Sequence, residues 1–167
     1  SWLLIIFAGN DTTRNTLSGA IKLLTENPDQ KQKLIENPEL MPNFLQECIR
    51  MVSPVIHMRR TTTCETELSG QLMGPGEKIV MWYGAANRDP SVFTNPDKFD
   101  IERENADKHL AFGIGRHTCV GKPVALMQLE ESYKQILSRF PNIHMSGNWK
   151  VAPNNFVHAI QEMPVKF

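Results

Sequence analysis

Ten consecutive residues carry the most specific pattern in the chain: Phe112-Gly113-Ile114-Gly115-Arg116-His117-Thr118-Cys119-Val120-Gly121. Three glycines surround one cysteine, and glycine both permits positive φ and lets the backbone lie close to a bulky flat partner. Lys122-Pro123 follow, and proline is tolerated in a first helical turn. We therefore expect Cys119 at the N-terminus of a helix, where free amides and the helix dipole favour the thiolate that binds metals.

The composition is that of one ordinary globular unit, since 167 residues with 41% hydrophobic content can build a core. Basic and acidic residues number 18 each, so no global charge favours nucleic acid or an anionic membrane as a partner. Cys48, Cys64 and Cys119 form no CxxC pair, which argues against disulfides and zinc and fits a reducing cytoplasm. The apolar opening, residues 2–8, is too short to span a bilayer.

Hydrophobic periodicity predicts a fold that is mainly α with small β-sheets, the α+β class. Between the elements, residues 85–108 lack periodicity, and a loop of this length has a function or is held by a specific network. The predicted helices cover residues 2 to about 26, 28–36, about 42–52 and 122–140. The predicted strands lie near residues 55–61, 65–68 and 78–82, with a terminal hairpin in 149–165 that turns at 153–155.

The pattern Phe-Gly-x-Gly-x-His-x-Cys-x-Gly resembles the haem-binding loop of the cytochrome P450 family. The resemblance implies that Cys119 is the thiolate ligand of a haem b iron, as in P450 enzymes generally, where thiolate donation favours O–O cleavage. On residue type alone a lone cysteine is more often a small buried apolar side chain, but the surrounding pattern reverses that preference. The other residues that the resemblance assigns to the haem here are Phe112, Gly113, His117 on a propionate, and Gly121.

The first helix is interrupted by poor helix formers, Ala8-Gly9-Asn10-Asp11-Thr12-Thr13. Taken alone, this run is a weak spot in a solvent-facing helix, where the Thr12 hydroxyl can bond back to the Ala8 carbonyl. It also resembles the oxygen-binding groove of the P450 distal helix. That resemblance places Ala8 and Gly9 at the haem, and Asp11 and Thr12 as the acid and alcohol that deliver the protons needed for O–O cleavage.

Glu47 and Arg50 stand three residues apart, a spacing that in most helices gives an exposed ion pair. With Arg103 they resemble the P450 Glu-x-x-Arg motif and its downstream arginine, which implies a buried structural triad beneath the haem. Arg60 matches the arginine that P450s place on a haem propionate. The segment Val55-Ile56 matches a stretch that often touches substrate, although core packing explains an apolar strand equally well.

The resemblance covers the whole chain and implies one partial domain, residues 1–167, the C-terminal portion of a P450 whose N-terminal half is missing. Two stretches, residues 81–90 and 163–165, look most like soluble bacterial P450s that hydroxylate terpenoids, steroid side chains or alkyl substrates. The implied reaction inserts one atom of O₂ into a C–H bond of a hydrophobic small molecule, with electrons from NAD(P)H through ferredoxin and ferredoxin reductase. A P450-like peroxygenase or isomerase, and a truncated fragment without activity of its own, are the alternatives.

Overall fold

A computed structural model describes residues 2–167, and within that range it contains five α-helices and four two-stranded antiparallel sheets. The α+β fold class is confirmed. The helices are α1 (Trp2–Glu26), α2 (Pro28–Glu36), α3 (Met41–Val52), α4 (Tyr83–Ala86) and α5 (Lys122–Arg139), with short 3₁₀ turns at Pro38–Leu40, Ala106–Lys108 and Gly115–His117.

The strands are short, and two of the four pairs are hairpins of consecutive strands. They are β1 (His57–Thr61), β2 (Thr66–Leu68), β3 (Gln71–Met73), β4 (Lys78–Trp82), β5 (His144–Met145), β6 (Lys150–Ala152), β7 (Ala159–Glu162) and β8 (Val165–Lys166). The pairs are β1–β4, β2–β3, β5–β8 and β6–β7, all antiparallel. The predicted terminal hairpin is present as β6–β7.

Helix α3 lies at the centre of the core. Its apolar residues recur at positions three and four apart and are buried against α1 and α5. Phe44 sits edge-on to both Phe99 and Tyr133, with ring centroids 6.4 and 5.1 Å away. The helix ends where Ser53 adopts a left-handed conformation (φ 44°) and donates its backbone N–H to the carbonyl of Ile49.

Helix α1 has a buried half and an exposed half. Its C-terminal half buries Ala20 and Leu24 and is tied to α5 by the Tyr133 hydroxyl, which donates to the Leu17 carbonyl at 2.6 Å. Its first six described residues are large and apolar, and their exposure runs from 81% for Trp2 to 43% for Phe7. No helix among residues 2–167 is long and apolar enough to cross a membrane.

The short elements differ from the sequence-based predictions. Strand β3 and helix α4 were not predicted, and β1 starts at His57, whereas Val55 forms only an isolated bridge with Val157. Placing Val165 at the end of the terminal hairpin was wrong, because it pairs with Met145 in a separate sheet. Two- and three-residue strands carry too few residues for periodicity to show, and their pairing depends on distant parts of the chain.

Candidate functional site

The Cys119 loop, residues 112–121, folds back on itself through backbone hydrogen bonds. The amide of Cys119 donates to the carbonyl of Phe112 at 2.8 Å, and the amide and hydroxyl of Thr118 both donate to the carbonyl of Gly115, at 3.1 and 2.9 Å. These bonds close the loop behind Cys119, whose side chain is exposed. The arrangement leaves one thiol accessible at the surface of the described chain.

The three glycines of the Cys119 loop differ in backbone conformation. Gly113 and Gly115 have φ of +70° and +67°, as expected, and a Cβ on Gly113 would lie 3.1 Å from the carbonyl oxygen of His117. Gly121 does not use the positive φ that glycine permits. Gly121 has φ −82° because it is the N-cap of α5, and a Cβ there would lie an ordinary 3.8 Å from the Cys119 Sγ.

Helix α5 begins three residues after the cysteine, close to the predicted position, and the amide of Lys122 donates to the Cys119 carbonyl at 3.3 Å. The flanking side chains Val120 and Ile114 are 98% and 77% exposed. The exposed Cys119 thiol therefore has an exposed apolar side chain on each side of it in the loop.

The interrupted stretch of α1 faces the same region, since Thr12, Thr13 and Phe112 line one small pocket between α1 and the Cys119 loop. The Thr12 hydroxyl donates to the Ala8 carbonyl at 2.7 Å, as its helical position predicts. Asp11 pairs through one carboxylate oxygen with Arg14 at 3.0 Å.

Gly9 lies on the open side of α1. A Cβ built on Gly9 would meet no atom within 4 Å in the described chain beyond its chain neighbours and the adjacent backbone of α1, and the neighbouring Ala8 is also exposed. The surface of α1 is thus open at the two small residues that the sequence assigns to the haem.

The remaining predicted site residues lie at the edges of this region. Arg60 is exposed on β1, where its Nη1 donates to the carbonyl of Arg59 at 2.9 Å, and His117 is exposed in the 3₁₀ turn of the Cys119 loop. Val55 and Ile56 are half-buried, and Ile56 lines an open, mostly apolar cavity of about 780 Å³ together with Trp82.

Glu47, Arg50 and Arg103 form a buried ion cluster. The Glu47 carboxylate is fully buried and accepts from Arg50 Nε at 2.7 Å, Arg50 Nη2 at 2.8 Å and Arg103 Nε at 3.2 Å. Its Oε1 also accepts the amide of Asp100 at 3.1 Å. Four N–H donors on one carboxylate satisfy a charge that would be costly to bury alone.

Both arginines use their remaining donors to hold the long loop. Arg50 donates to the carbonyls of Asn87 and Pro96 at 2.7 and 2.8 Å, and Arg103 donates to those of Thr94 and Lys98 at 2.8 Å each. The irregular stretch between α4 and the Cys119 loop therefore wraps around the triad. This is the specific network that a loop of such length suggested.

Two residues that the sequence reasoning did not select connect this interior to the Cys119 loop. Asn87 is fully buried and His109 nearly so, and each side chain accepts a backbone N–H just before Phe112. A polar residue inside an irregular loop is ordinarily solvated. The available signals were the long unpatterned loop around Asn87 and the position of His109 immediately before the apolar Leu110-Ala111-Phe112.

The donor groups fit a haem better than a bare metal ion. Among residues 2–167 no cluster of three or more His, Cys, Asp or Glu side chains could hold an ion. The site instead offers one exposed thiol, an open helix surface at Gly9, and the exposed basic groups Arg60 and His117. A single cysteine sulfur, with a guanidinium and an imidazole at the edges of the region, is a donor set suited to an iron porphyrin with carboxylate side chains.

Comparison with known proteins gives consistent matches along the whole chain. The family described as cytochrome P450 matches residues 1–161. Linalool 8-monooxygenase of Pseudomonas putida is 38% identical over 97% of this chain and 40% of its own length. A steroid C26-monooxygenase of Mycobacterium tuberculosis (strain CDC 1551 / Oshkosh) is 39% identical over 99% of this chain and 45% of its own length.

The fold matches as closely as the sequence. Cytochrome P450-153 from Novosphingobium aromaticivorans superposes with a TM-score of 0.95 at 45% identity, covering 99% of this chain and 42% of that one. The chain thus spans less than half the length of the relatives that it matches.

Proposed function

The chain belongs to the cytochrome P450 family, and from this membership we propose that the protein is a haem-thiolate monooxygenase whose iron ligand is Cys119. The observation that carries the proposal is the exposed Cys119 thiol, presented by a loop with two positive-φ glycines opposite the open stretch of α1. We also propose that residues 1–167 form one partial domain of a protein as long as its relatives, located in the cytoplasm.

The residues that would hold haem b are distributed over three elements. Arg60 and His117 are free to donate to the two propionates, because guanidinium and imidazole groups pair well with carboxylates. The residues that border the macrocycle in this proposal are Ala8, Gly9, Phe112, Gly113 and Gly121. When bound, the haem supplies the one-electron and O₂ chemistry that amino-acid side chains lack.

Proton delivery is the part of the chemistry that the chain itself would perform. The Thr12 hydroxyl donates to the Ala8 carbonyl, which leaves its oxygen lone pairs free to accept a hydrogen bond from a donor in the pocket. Asp11 keeps one carboxylate oxygen outside its pair with Arg14, and that oxygen would take up a proton from water at the protein surface and pass it on toward the pocket. The overall reaction places one oxygen atom of O₂ in the product and releases the other as water, using two electrons and two protons.

We propose a hydrophobic small molecule as substrate, in the class of terpenoids, steroid side chains or alkyl chains. The relatives named for linalool and for the steroid C26 position support this class. Val55 and Ile56, half-buried just before β1, are the proposed apolar contacts. The electrons would come from NAD(P)H through a ferredoxin reductase and a ferredoxin.

The direct test is the spectrum of the reduced carbon monoxide complex of the haem-loaded protein at its natural length. We expect the red-shifted Soret band of thiolate ligation, and its loss in Cys119→Ala. Cys64→Ala is the matched control, because Cys64 is also exposed but lies in the turn before β2. A band of the imidazole type in the intact protein, or an unchanged band in Cys119→Ala, would contradict the proposal.

A second measurement separates monooxygenase chemistry from the peroxygenase or isomerase alternative. Product formation should require O₂, NAD(P)H, ferredoxin and ferredoxin reductase together. Turnover with hydrogen peroxide alone, at the rate of the complete system, would favour a peroxygenase. Turnover with no oxidant at all would favour an isomerase.

A further inference from the structure

Asn87 and His109 are the two interior side chains that hold the backbone entering the Cys119 loop. We propose that this pair, the loop anchor, positions the Cys119 thiolate by accepting the amides of Leu110 and Ala111 from the interior of the protein. The inference rests on the proposed function, because it assigns the anchor a role in haem ligation. In this proposal neither side chain touches the haem, so both are positioning residues.

Asn87 is completely buried, and its side-chain oxygen, its side-chain nitrogen and its backbone carbonyl are all hydrogen-bonded. Its Oδ1 accepts the amide of Leu110 at 2.6 Å, and its Nδ2 donates to the hydroxyl of Ser53 at 2.9 Å. Its own carbonyl accepts from Arg50 Nη1 at 2.7 Å. Through its side chain and its own carbonyl, Asn87 therefore connects the end of α3 and the ion triad to Leu110, the first residue of the loop entrance.

His109 makes the parallel connection one residue further on. Its Nδ1 accepts the amide of Ala111 at 3.2 Å, so the ring proton lies on Nε2, which donates to the Gln46 side-chain oxygen at 3.1 Å. Burial, with the nearby charge of Lys122 as a second cause, lowers the pKa of His109 to about 4. The ring is thus neutral near pH 7, as its acceptor role requires.

The anchored residues reach Cys119 through the backbone. The carbonyl of Leu110 accepts the amide of Gly113 at 2.8 Å, and the carbonyl of Phe112 accepts the amide of Cys119 at 2.8 Å. Residues 110–112 are thus hydrogen-bonded to Asn87 and His109 in the interior and, through Phe112, to the backbone of Cys119. Because functional groups need placement to about 0.5 Å, a loose entrance would let the sulfur leave its ligating position.

The chain offers a matched pair of substitutions at His109. In His109→Asn the shorter amide oxygen can take the place of Nδ1 and still accept from the amide two residues on, but the bond to Gln46 is lost. In His109→Gln the longer amide reaches toward Gln46, and the bond to Ala111 is lost. Comparing the two variants therefore distinguishes the loss of the hydrogen bond to the loop from a general change in interior packing.

We expect His109→Asn to keep the thiolate band in the reduced carbon monoxide spectrum of the haem-loaded protein. In His109→Gln the ratio of thiolate-type to displaced haem should fall about five- to tenfold, the effect of one lost hydrogen bond. A second readout needs no haem: exchange of the Cys119 amide with deuterium should quicken by a similar factor, about five- to tenfold, only in His109→Gln.

The same logic applies to Asn87. Asn87→Ala removes the acceptor of the Leu110 amide. Ser53→Ala is the control, because it removes the partner of the Asn87 Nδ2 and a bond to the Arg50 carbonyl but leaves that acceptor in place. Asn87→Ala should behave as His109→Gln does in both readouts, and Ser53→Ala should keep the wild-type band and exchange rate. If all four variants have the wild-type band and exchange rate, the anchor does not position Cys119.

Failure of the inference and failure of the proposed function give different results. An intact protein that never shows the thiolate band contradicts the function. A wild-type thiolate band that shifts equally in His109→Asn and His109→Gln contradicts the anchor alone, because the loss would then follow from general packing.

Discussion

Thr12 donates its hydroxyl proton to the Ala8 carbonyl and borders the pocket shared with Phe112. The proposed relay predicts that Thr12→Ala binds haem and substrate nearly as the wild type does but diverts reducing equivalents from product to peroxide. Product formed per NAD(P)H consumed is the measurement. Thr25→Ala removes the same kind of helical back-bond, to Ile21, at the far end of α1 and should leave the ratio unchanged. A wild-type ratio in Thr12→Ala would remove Thr12 from the relay.

His109 predicts a specific pH dependence of stability. Its folded pKa of about 4 lies below the ordinary 6.5, so between these values the unfolded chain binds more protons than the folded one. The contribution is therefore fully present above about pH 6.5 and lost as the pH falls toward 4, by roughly 3 kcal/mol in total. Urea unfolding at pH 7 and pH 4.5 should show a smaller loss in His109→Asn, which has no imidazole to protonate.

His144→Asn is the control for that experiment, because His144 is exposed on β5. It should keep the wild-type loss of stability between the two pH values. If His109→Asn lost as much stability on acidification as the wild type, another group would be responsible for the acid sensitivity.

Among the elements, α3 owes its position to the carboxylate of Glu47, which accepts from both arginines of the triad. Glu47→Gln should cost about 3–5 kcal/mol of unfolding free energy, because it leaves two buried guanidinium groups without a counter-charge. Denaturant unfolding measures this. Glu130→Gln on α5 breaks an exposed pair with Lys134 and should cost less than about 1 kcal/mol. Equal costs would show that the triad is not a structural centre.

The long elements could be predicted from the sequence, and the short ones could not. Helices α1, α2, α3 and α5 have enough turns for periodicity and proline boundaries to define them within one or two residues. By contrast, β3 has three residues and α4 has four, and β8 finds its partner β5 some twenty residues away. Local sequence holds no information about such a pairing.

The residues of the candidate site also differ in whether the sequence could predict them. The Cys119 loop and the Asp11-Thr12 pair carry contiguous motifs, so the sequence alone predicts them as site residues. The loop anchor does not, because Asn87 and His109 are single polar residues whose partners lie 23 to 63 positions away or in the backbone nearby. Only the folded geometry shows that two isolated side chains hold one loop.

For the molecule as a whole, the exposed apolar half of α1 predicts how the 167-residue chain behaves by itself. Six consecutive large apolar residues, from Trp2 to Phe7, form a patch of the kind that drives association. We expect the chain to self-associate in sedimentation velocity experiments and to show no coupled turnover. Leu3→Lys combined with Ile6→Lys should increase the monomer fraction.

The matched control is Leu68→Lys combined with Leu72→Lys, since both leucines are exposed on the β2–β3 hairpin, away from α1. This control should change the monomer fraction little. A wild-type chain that is monodisperse, monomeric and active with tight coupling would contradict the prediction.

Because residues 87–103 wrap around Arg50 and Arg103, they also limit where the chain can accept inserted residues. Backbone carbonyls from this stretch accept hydrogen bonds from both guanidinium groups. The length of the loop is therefore matched to the positions of the two arginines. Extra residues near Pro96 would lengthen the loop and move its carbonyl oxygens out of hydrogen-bonding distance of both arginines. The turn at Gly70, exposed and free of such contacts in residues 2–167, has room for an inserted peptide tag or reporter. An engineer adding sequence to this protein would therefore choose the β2–β3 turn and leave the irregular loop at its present length.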